Sequence, residues 1–288
     1  MVEKMRLKYP VAGLCEVLDL SESGYYSWRD RPPSRREQED ARLAVVIRAA
    51  HKRTRQTCGP ERLQKDIAAN EGIRVGFHRI RRLRKQLGLR CKQKRKFKAT
   101  TDSKHNLPVA GNLLKQRFQT TAPNQAWVTD ITYIATNEGW LYLAGHKDLF
   151  SGEIVGHALG TRMTKGLVMK SLFLAVAKKR PPAGLIHHSD RGSQYCSKRY
   201  QAVLAQFKIR TSMSRKGNCY DNAPMESFWG TLKNELIHHR RYATRAEAIR
   251  EVNEYIEIFY NRQRRQKRLG YLSPAAYERK YYEKLMAA

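Results

Sequence analysis

Residues 124–159 read NQAWVTDITYIATNEGWLYLAGHKDLFSGEIVGHAL. Three segments of this stretch, 126–135, 140–146 and 153–159, are short and rich in β-branched and aromatic residues, and turn-forming residues separate them at 137–139 and 151–152. Segments of this kind predict strands. Because they follow one another closely, we expect an antiparallel meander of three strands.

The chain downstream of the meander alternates between helical and strand patterns. Residues 164–179 predict a helix capped by Thr164, 185–189 a buried strand, and 208–213 a fifth strand. Ser197 is expected to cap another helix, Asp221 to open a helix that reaches Leu236, and Thr244 with Glu247 to form a capping box for a long helix ending near Asn261. The order predicts an α/β core with a mixed five-stranded sheet and flanking helices over 123–240, followed by a helical and basic extension over 241–288.

Upstream of the core, two patterns predict an all-α region of the helix-turn-helix kind. Residues 1–33 contain a short apolar helix, a serine-rich turn and an aromatic segment, and 34–98 contain helices near 60–69 and 76–87 around Gly72. In the later helix Arg79, Arg82 and Lys85 lie beside an apolar stripe, so this helix could lie in a DNA groove. An ordinary helical hairpin with a basic face is the alternative. Residues 99–122 are interpreted as a linker.

The net charge predicts a polyanionic partner. Lys and Arg number 56 against 26 Asp and Glu, which leaves +30. Residues 1–120 carry 29 basic and 12 acidic side chains, whereas 121–230 carry 14 and 7, so the excess is concentrated at the front. Eleven basic residues lie between Arg79 and Lys98. Such a tract favours DNA or RNA contact; a solvated helix face, or a tract for anionic lipid or ribosomal RNA, stays open.

Several other classes of protein are not indicated. The five cysteines are scattered singly without metal-ligand spacing, which predicts neither a disulfide framework nor a zinc module. No apolar run approaches the roughly 18 to 20 residues that span a bilayer, and the first ten residues lack the apolar centre of a secretory signal. We therefore expect an intracellular protein without a membrane partner.

Three carboxylates are the candidate catalytic residues. Asp130 lies within the first predicted strand, Asp190 at the end of the fourth, and Glu226 on the helix after the fifth. Each alone would more often cap a loop or bridge to an arginine. Together they bring hard oxygen ligands to a common point, as divalent metal requires, and a pair of metals stabilises both oxygens of an in-line displacement at phosphorus.

The helix that carries Glu226 has two distinct faces. Asn222, Glu226, Gly230 and Lys233 are spaced four, four and three residues apart and line one face. Met225, Trp229, Leu232 and Leu236 line the adjoining apolar face, which can pack on the sheet. Gly230 removes side-chain bulk and Lys233 presents a cation, so a DNA backbone could approach there. An amphipathic surface helix with incidental charges is the alternative.

Three motifs carry a resemblance to a known family. They are NQAWVTDITY at 124–133, HSDRGSQY at 188–195 and SRKGNCYDNAPMESF at 214–228, with thirty-five residues between Asp190 and Glu226. Together with the closing YN at 260–261 and LGYLSP at 269–274, they make the chain resemble a DDE transposase of insertion-sequence family three. The resemblance implies a ribonuclease H-like core related to retroviral integrases. It also implies a metal-binding triad of Asp130, Asp190 and Glu226 with two Mg²⁺ or Mn²⁺ ions, and a role for Lys233 near the element end.

The resemblance also implies a reaction and a set of partners. A metal-activated water cuts the end of the mobile element, and the freed 3′-OH attacks another phosphodiester, by a copy-out, paste-in route. The expected partners are terminal inverted repeats, target DNA, further copies of the chain, and a helix-turn-helix and leucine-zipper protein from an upstream frame, fused by frameshifting. The chain itself shows no heptad zipper. The expected location is the bacterial cytoplasm, in association with the nucleoid.

Two other functions and one residue stay open at this point. A nuclease on the same fold would hydrolyse without joining, but it would not need the region before residue 100 or the basic tail at 262–268. A DNA-binding regulator would not need three converging acids. Asp148 is either a supporting acid near the site or the partner of Lys147 or Arg191 in a salt bridge.

Overall fold

A computed structural model describes residues 1–92 and 108–287. The chain begins with three short helices, α1 (Val2–Met5), α2 (Val11–Val17) and α3 (Glu22–Arg29). Ser21 caps α3 by accepting a hydrogen bond from the Gly24 amide. A small apolar cluster of Val2, Cys15 and Tyr25 holds these helices together. The predicted turn between two helices is therefore present.

A second helical unit follows, with a core of its own. It contains α4 (Arg35–Arg53), α5 (Pro60–Asn70) and α6 (Phe77–Gln86). A capping box of Ser34 and Glu37 begins α4. Gly72, at a φ of +69°, makes the turn after α5, a conformation that glycine adopts without strain. The basic residues of 93–98, which belong to the predicted DNA-contacting tract, lie outside the described residues.

The predicted linker is partly built into the core. Its first residues, 99–107, lie outside the described part of the chain. Residues 108–122 run along the α/β core. Leu114 is buried in the core. The side-chain amides of Asn112 and Gln116 donate to the two carboxylate oxygens of Asp221 at 3.0 and 2.9 Å. This second half is therefore a fixed part of the fold.

Five strands form one mixed sheet, as predicted. They are β1 (Ala126–Thr136), β2 (Gly139–Asp148), β3 (Ile154–Gly160), β4 (Ile186–Ser189) and β5 (Arg210–Met213). The spatial order is β3-β2-β1-β4-β5. The first three strands are an antiparallel meander, and β4 and β5 run parallel to β1.

Helices cover both faces of the sheet. One face packs against α7 (Lys165–Lys179), α8 (Ser193–Cys196) and α9 (Lys198–Gln206). The other packs against α10 (Ala223–Glu235), α11 (Arg245–Glu254) and a π-helical continuation, Tyr255–Gln263. Short 3₁₀ turns occupy Cys219–Asn222, Ile237–His239 and Lys267–Leu269, and α12 (Pro274–Met286) ends the described chain.

Two expectations about helices need correction. Asp221 does not open the helix of Glu226, because it lies in the 3₁₀ turn and α10 begins at Ala223. The helix capped by Thr244 is α-helical only to Glu254.

The predicted boundary at residue 240 runs through one apolar cluster, since Tyr242 and Phe259 pack with Val128 and Trp229. None of the helices in the described ranges has the length and apolar character needed to cross a membrane.

A buried polar cluster accounts for His146, which interrupts the apolar pattern of β2. Its Nδ1 lies 2.8 Å from Ser171 Oγ, and its Nε2 lies 3.1 Å from His187 Nε2. The Tyr200 hydroxyl is 3.0 Å from the same atom of His187. Burial lowers the pKa of both histidines, so the cluster is uncharged near neutral pH.

Candidate active site

The sheet places Asp130 and Asp190 side by side. Strand β4 pairs with β1 in parallel from Ala126 and Ile186 to Val128 and His188. Asp130 and Asp190 each lie two residues beyond that last pair, so adjacent parallel strands carry both carboxylates to one edge. Repulsion from Asp190 contributes to raising the pKa of Asp130, as expected for two acids that share a site.

The Asp130 carboxyl is held at both oxygens. Its Oδ1 accepts from the Ile131 amide at 2.8 Å, and its Oδ2 accepts from the indole N–H of Trp229 at 3.1 Å. Burial, followed by Asp190, raises the pKa of Asp130 to about 8. Without a cation, the ionised form of this carboxyl is therefore costly. Asp190 Oδ1 accepts from the Gly192 amide at 2.9 Å, so it too has a fixed orientation.

Glu226 approaches the two aspartates from α10. It lies in the first turn of that helix, and burial raises its pKa. Its charge adds a smaller contribution to the raised pKa of Asp130. Across 1–92 and 108–287, no three His, Cys, Asp or Glu side chains are grouped closely enough to hold a metal ion. The structure thus brings Asp130 and Asp190 together, with Glu226 as a more distant third acid.

Gly145 makes room for the indole that bonds Asp130. It lies opposite Asp130 in the β1–β2 register. A Cβ at this position would lie 2.9 Å from Met225 Cε and 3.0 Å from Trp229 Cη2. The glycine that breaks the apolar pattern of β2 therefore allows α10 to pack closely against the strand that carries Asp130.

Two further contacts anchor the start of α10. Asn222 Nδ2 donates to the Thr129 carbonyl at 3.1 Å, and Lys147 Nζ donates to the Pro224 carbonyl at 2.8 Å. Asn222 is only 5% exposed, and its contact with DNA stays a prediction. In the structure it fixes the 3₁₀ turn before α10 to the residue that precedes Asp130.

Lys233 lies on α10, the helix that also carries Glu226. Its Nζ is 4.9 Å from the centroid of the Tyr133 ring. Burial lowers the pKa of Lys233, while attraction to Asp130 opposes that change. A Cβ at Gly230 would meet no atom within 4 Å, so the helix surface between Glu226 and Lys233 is open. The predicted approach of a DNA backbone has space here.

Comparison with known proteins decides the family. Residues 120–219 and 226–281 match models of the integrase core domain, and 37–97 match an HTH-like domain. The chain is 63% identical to the insertion element IS600 uncharacterized 31 kDa protein of Shigella sonnei, over 94% of this chain and 99% of that protein. It is 41% identical to transposase InsF for insertion sequence IS3A of Escherichia coli, over 97% of each. The chain belongs to the transposases of insertion-sequence family three.

Two solved structures of viral integrases also match part of the chain. The catalytic core domain of HTLV-2 integrase, in complex with magnesium, matches 56% of the transposase chain and 99% of its own, at 16% identity and a TM-score of 0.44. The simian T-cell lymphotropic virus intasome matches 74% of this chain and 69% of its own, at 19% identity and a TM-score of 0.43. The sheet order and the integrase-core match confirm the predicted α/β fold with a helical region before it.

Two arginines of the basic helix α6 form ion pairs within the transposase chain. Arg79 donates to Asp40 at 2.8 Å and to Glu39 at 3.2 Å, and Arg82 donates to Asp40 at 2.6 Å. These contacts hold both guanidinium groups against α4, and DNA contact by Arg79, Arg82 and Lys85 stays a prediction. Lys85 is exposed, as is Arg81, which the sequence did not single out.

Asp148 has neither of the two roles considered for it. Its Oδ1 accepts from the Asn124 amide at 3.0 Å, and its Oδ2 accepts from the amide and hydroxyl of Ser151 at 2.8 and 2.9 Å. The side chain is buried at the end of β2. Asp148 therefore organises the turn between β2 and β3 and the entry into β1.

Asp221 and Trp229 are the residues that sequence reasoning missed. Asp221 is fully buried and accepts from the Arg215 amide at 2.8 Å and from the Arg215 guanidinium at 3.0 Å. These bonds lower the pKa of Asp221 and fix the loop between β5 and α10. For Asp221 the available signal was its place within the 214–228 motif; nothing in the sequence distinguished the Trp229 N–H from an apolar packing position.

Proposed function

We propose that this transposase cuts the ends of an insertion element and joins them to other DNA through Asp130, Asp190 and Glu226. The single observation that carries the proposal is the placement of Asp130 and Asp190 at one sheet edge, where burial and then the charge of Asp190 raise the pKa of Asp130. Such an arrangement is costly for a fold and is typical of a catalytic site. Glu226 completes the set from α10.

We propose two Mg²⁺ or Mn²⁺ ions, because the oxygen chemistry of Asp130 and Asp190 suits divalent metal, with Glu226 as a third ligand that would have to approach them. Carboxylate oxygens are the ligands that these hard cations prefer. A cation would favour the ionised form of Asp130, whose pKa is raised by burial and by Asp190. When bound, the metal would activate the attacking oxygen and stabilise the leaving one.

The surrounding residues would orient the carboxylates and the DNA. Trp229 and the Ile131 amide fix the two oxygens of Asp130, and the Gly192 amide fixes Asp190. Lys233 would contact a backbone phosphate near the element end, as a point charge seven residues beyond Glu226. The basic excess before residue 120 would hold more of the duplex through its phosphates.

The reaction implies partners and a location. Terminal inverted repeats and target DNA are the proposed substrates. Two element ends must be held at once, so further copies of the chain are proposed partners, together with the upstream-frame helix-turn-helix protein. We place the complex in the bacterial cytoplasm, at the nucleoid, because that is where these DNA substrates are.

Glu226→Gln tests the assignment. On labelled element-end duplexes with Mg²⁺, we expect cleavage and joining to fall to background, because an amide cannot serve as an anionic ligand. DNA binding should stay within about twofold, because the basic residues that contact phosphates are unchanged. Glu283→Gln, at an exposed position of α12, is the control and should leave both steps intact. Wild-type cleavage in Glu226→Gln would remove this residue from the site, and cleavage without joined products in the wild type would favour a nuclease.

A further inference from the structure

An exposed aromatic pair lies at the end of the β1–β2 hairpin, on the strands that form the candidate site. The rings of Tyr133 and Trp140 meet edge to face, with centroids 4.9 Å apart and an angle of 85° between the planes. Trp140 is 50% exposed. It belongs to none of the apolar clusters formed by the described residues. The indole is thus fixed by Tyr133 and presents a surface to solvent.

Two cationic side chains lie beside this pair. Lys233 Nζ lies 4.9 Å from the centroid of the Tyr133 ring. Arg245 Nε donates to the Trp140 carbonyl at 3.2 Å, and the Arg245 backbone amide donates to Glu138 at 2.7 Å. Aromatic rings interleaved with cations are the pattern by which proteins bind single-stranded nucleic acid, because each base stacks on a ring while its phosphate meets a cation.

The pair also lies at a useful distance from the carboxylates. Trp140 pairs with Ala135, which follows Asp130 by five residues along β1, or about 17 Å of strand. That length corresponds to about five stacked base steps of one DNA strand. A strand whose phosphate lies at Asp130 could therefore place a nearby base at the aromatic pair.

Charge decides between two occupants of this surface. A second copy of the chain would bring another +30 against Lys233 and Arg245, which disfavours self-association at this point. A DNA strand has the complementary charge, and an unpaired base offers a flat apolar face of the kind that Trp140 can stack. A base held in a duplex has its faces covered by its neighbours.

We propose that Trp140, supported by Tyr133 and with Lys233 and Arg245 nearby, stacks an unpaired nucleobase within about five steps of the reacting phosphate. The inference rests on the proposed function, since it takes the strand at the carboxylates as DNA. It adds a specific role for the hairpin end, which is to hold a frayed strand end open beside the site.

The test measures binding without catalysis. The full chain is titrated in EDTA with two duplexes of equal length, one blunt and one ending in five unpaired bases that include 2-aminopurine. We expect the wild type to prefer the frayed duplex by on the order of tenfold and to quench the 2-aminopurine, because stacking a base contributes that much. Trp140→Ala should bind both duplexes equally, and Trp140→Phe should keep most of the preference.

The matched control is Tyr282→Ala, which removes an aromatic side chain of 42% exposure from α12, away from the hairpin. It should keep the preference and the quenching. Unchanged quenching in Trp140→Ala would overturn the proposal. The proposal would also be overturned if sedimentation showed that Trp140→Ala loses a dimer but keeps the base preference. This surface would then be a contact between copies of the chain. Because no cleavage is measured, failure here is distinct from failure of the carboxylate assignment, which Glu226→Gln tests.

Discussion

At the scale of single residues, the indole of Trp229 links the helix of Glu226 to the carboxylate of Asp130. The bond is 3.1 Å long, and Trp229 is 5% exposed, so the donor is held in place by packing. Groups that orient a metal ligand in this way typically change metal affinity by 10- to 100-fold when removed. Trp229 is therefore a positioning residue of the proposed site.

We expect Trp229→Phe to weaken Mn²⁺ binding roughly tenfold, measured by calorimetry in the absence of DNA. Phenylalanine keeps most of the packing but removes the N–H, so Asp130 loses one of its two orienting donors. Trp127→Phe is the control, because it removes a buried indole bond to Asn124 Oδ1 away from the site. Equal Mn²⁺ affinity in the two variants would show that the Trp229 bond does not orient a ligand.

The positions of the acids could be predicted, but their surroundings could not. Alternation along β1 and the turn after β4 are local patterns, and they were enough to place Asp130 and Asp190 at one edge. The burial of Asn222 depends on a bond to Thr129, which is 93 residues away in the chain. Asp148 likewise bonds Asn124. Side chains whose role is set by such distant partners carry no local signal.

At the scale of elements, the start of α10 depends on a buried lysine of β2. Lys147 is 8% exposed and donates to the Pro224 carbonyl. Burial, followed by Arg268 and Arg264, lowers its pKa to about 7, against an ordinary value of 10.5. Below pH 7 the amine is protonated in both the folded and the unfolded chain. Between pH 7 and 10.5 the unfolded chain binds more protons, so this group makes folding more favourable as pH rises.

Lys147→Met should remove that dependence. The free energy of unfolding of the wild type, relative to Lys147→Met, should rise between pH 7 and 9 by up to about 1.4 kcal/mol per pH unit. At pH 6.5 the methionine variant should be the more stable protein, because it has no buried charge. Urea unfolding over this range measures the difference, with Lys216→Met at an exposed position as control. A pH-independent difference would mean that the Lys147 amine stays charged in the fold.

The cations of the basic helix α6 fall into two groups. Arg79 and Arg82 form ion pairs with Asp40, whereas Arg81 and Lys85 are exposed. Replacing exposed Arg81 and Lys85 with glutamine should lower the slope of log affinity against log salt by about two, one for each lost phosphate contact. Replacing Arg79 and Arg82, which pair with Asp40, should reduce stability and leave the slope nearly unchanged. Affinity for an element-end duplex at several salt concentrations separates these outcomes, and the opposite pattern would reverse the assignment.

The strands were more predictable than the start of the helix that carries Glu226. The three meander strands were expected at 126–135, 140–146 and 153–159, and each lies within two residues of that range at both ends. Asp221 resembled a helix N-cap because its residue type and position fit one. Its carboxylate instead bonds Arg215, Asn112 and Gln116, and these tertiary contacts outweigh the local preference.

At the scale of the whole molecule, the second helical unit is joined to the far end of the chain. Arg55, which follows α4, pairs with Glu254 of α11, and its guanidinium lies 5.6 and 5.0 Å from the ring centroids of Tyr255 and Phe259. Lys267 and Glu61 make a further, exposed pair at 3.4 Å. Because Phe259 belongs to the core that contains Trp229, these contacts set the basic helix at a fixed orientation to the carboxylates.

A charge reversal and its compensation test that connection. Arg55→Glu places two acids together and removes the cation from the two rings, so we expect hydrogen exchange of α11 and of residues 51–57 to increase and element-end binding to weaken. Arg55→Glu combined with Glu254→Arg restores the ion pair and should recover at least about 1 kcal/mol of coupling in the double-mutant cycle. Arg48→Glu changes an exposed charge of α4 and should do neither. If Arg55→Glu alone unfolds and exchanges like the wild type, the two regions are independent, and the orientation of the basic helix is set by DNA.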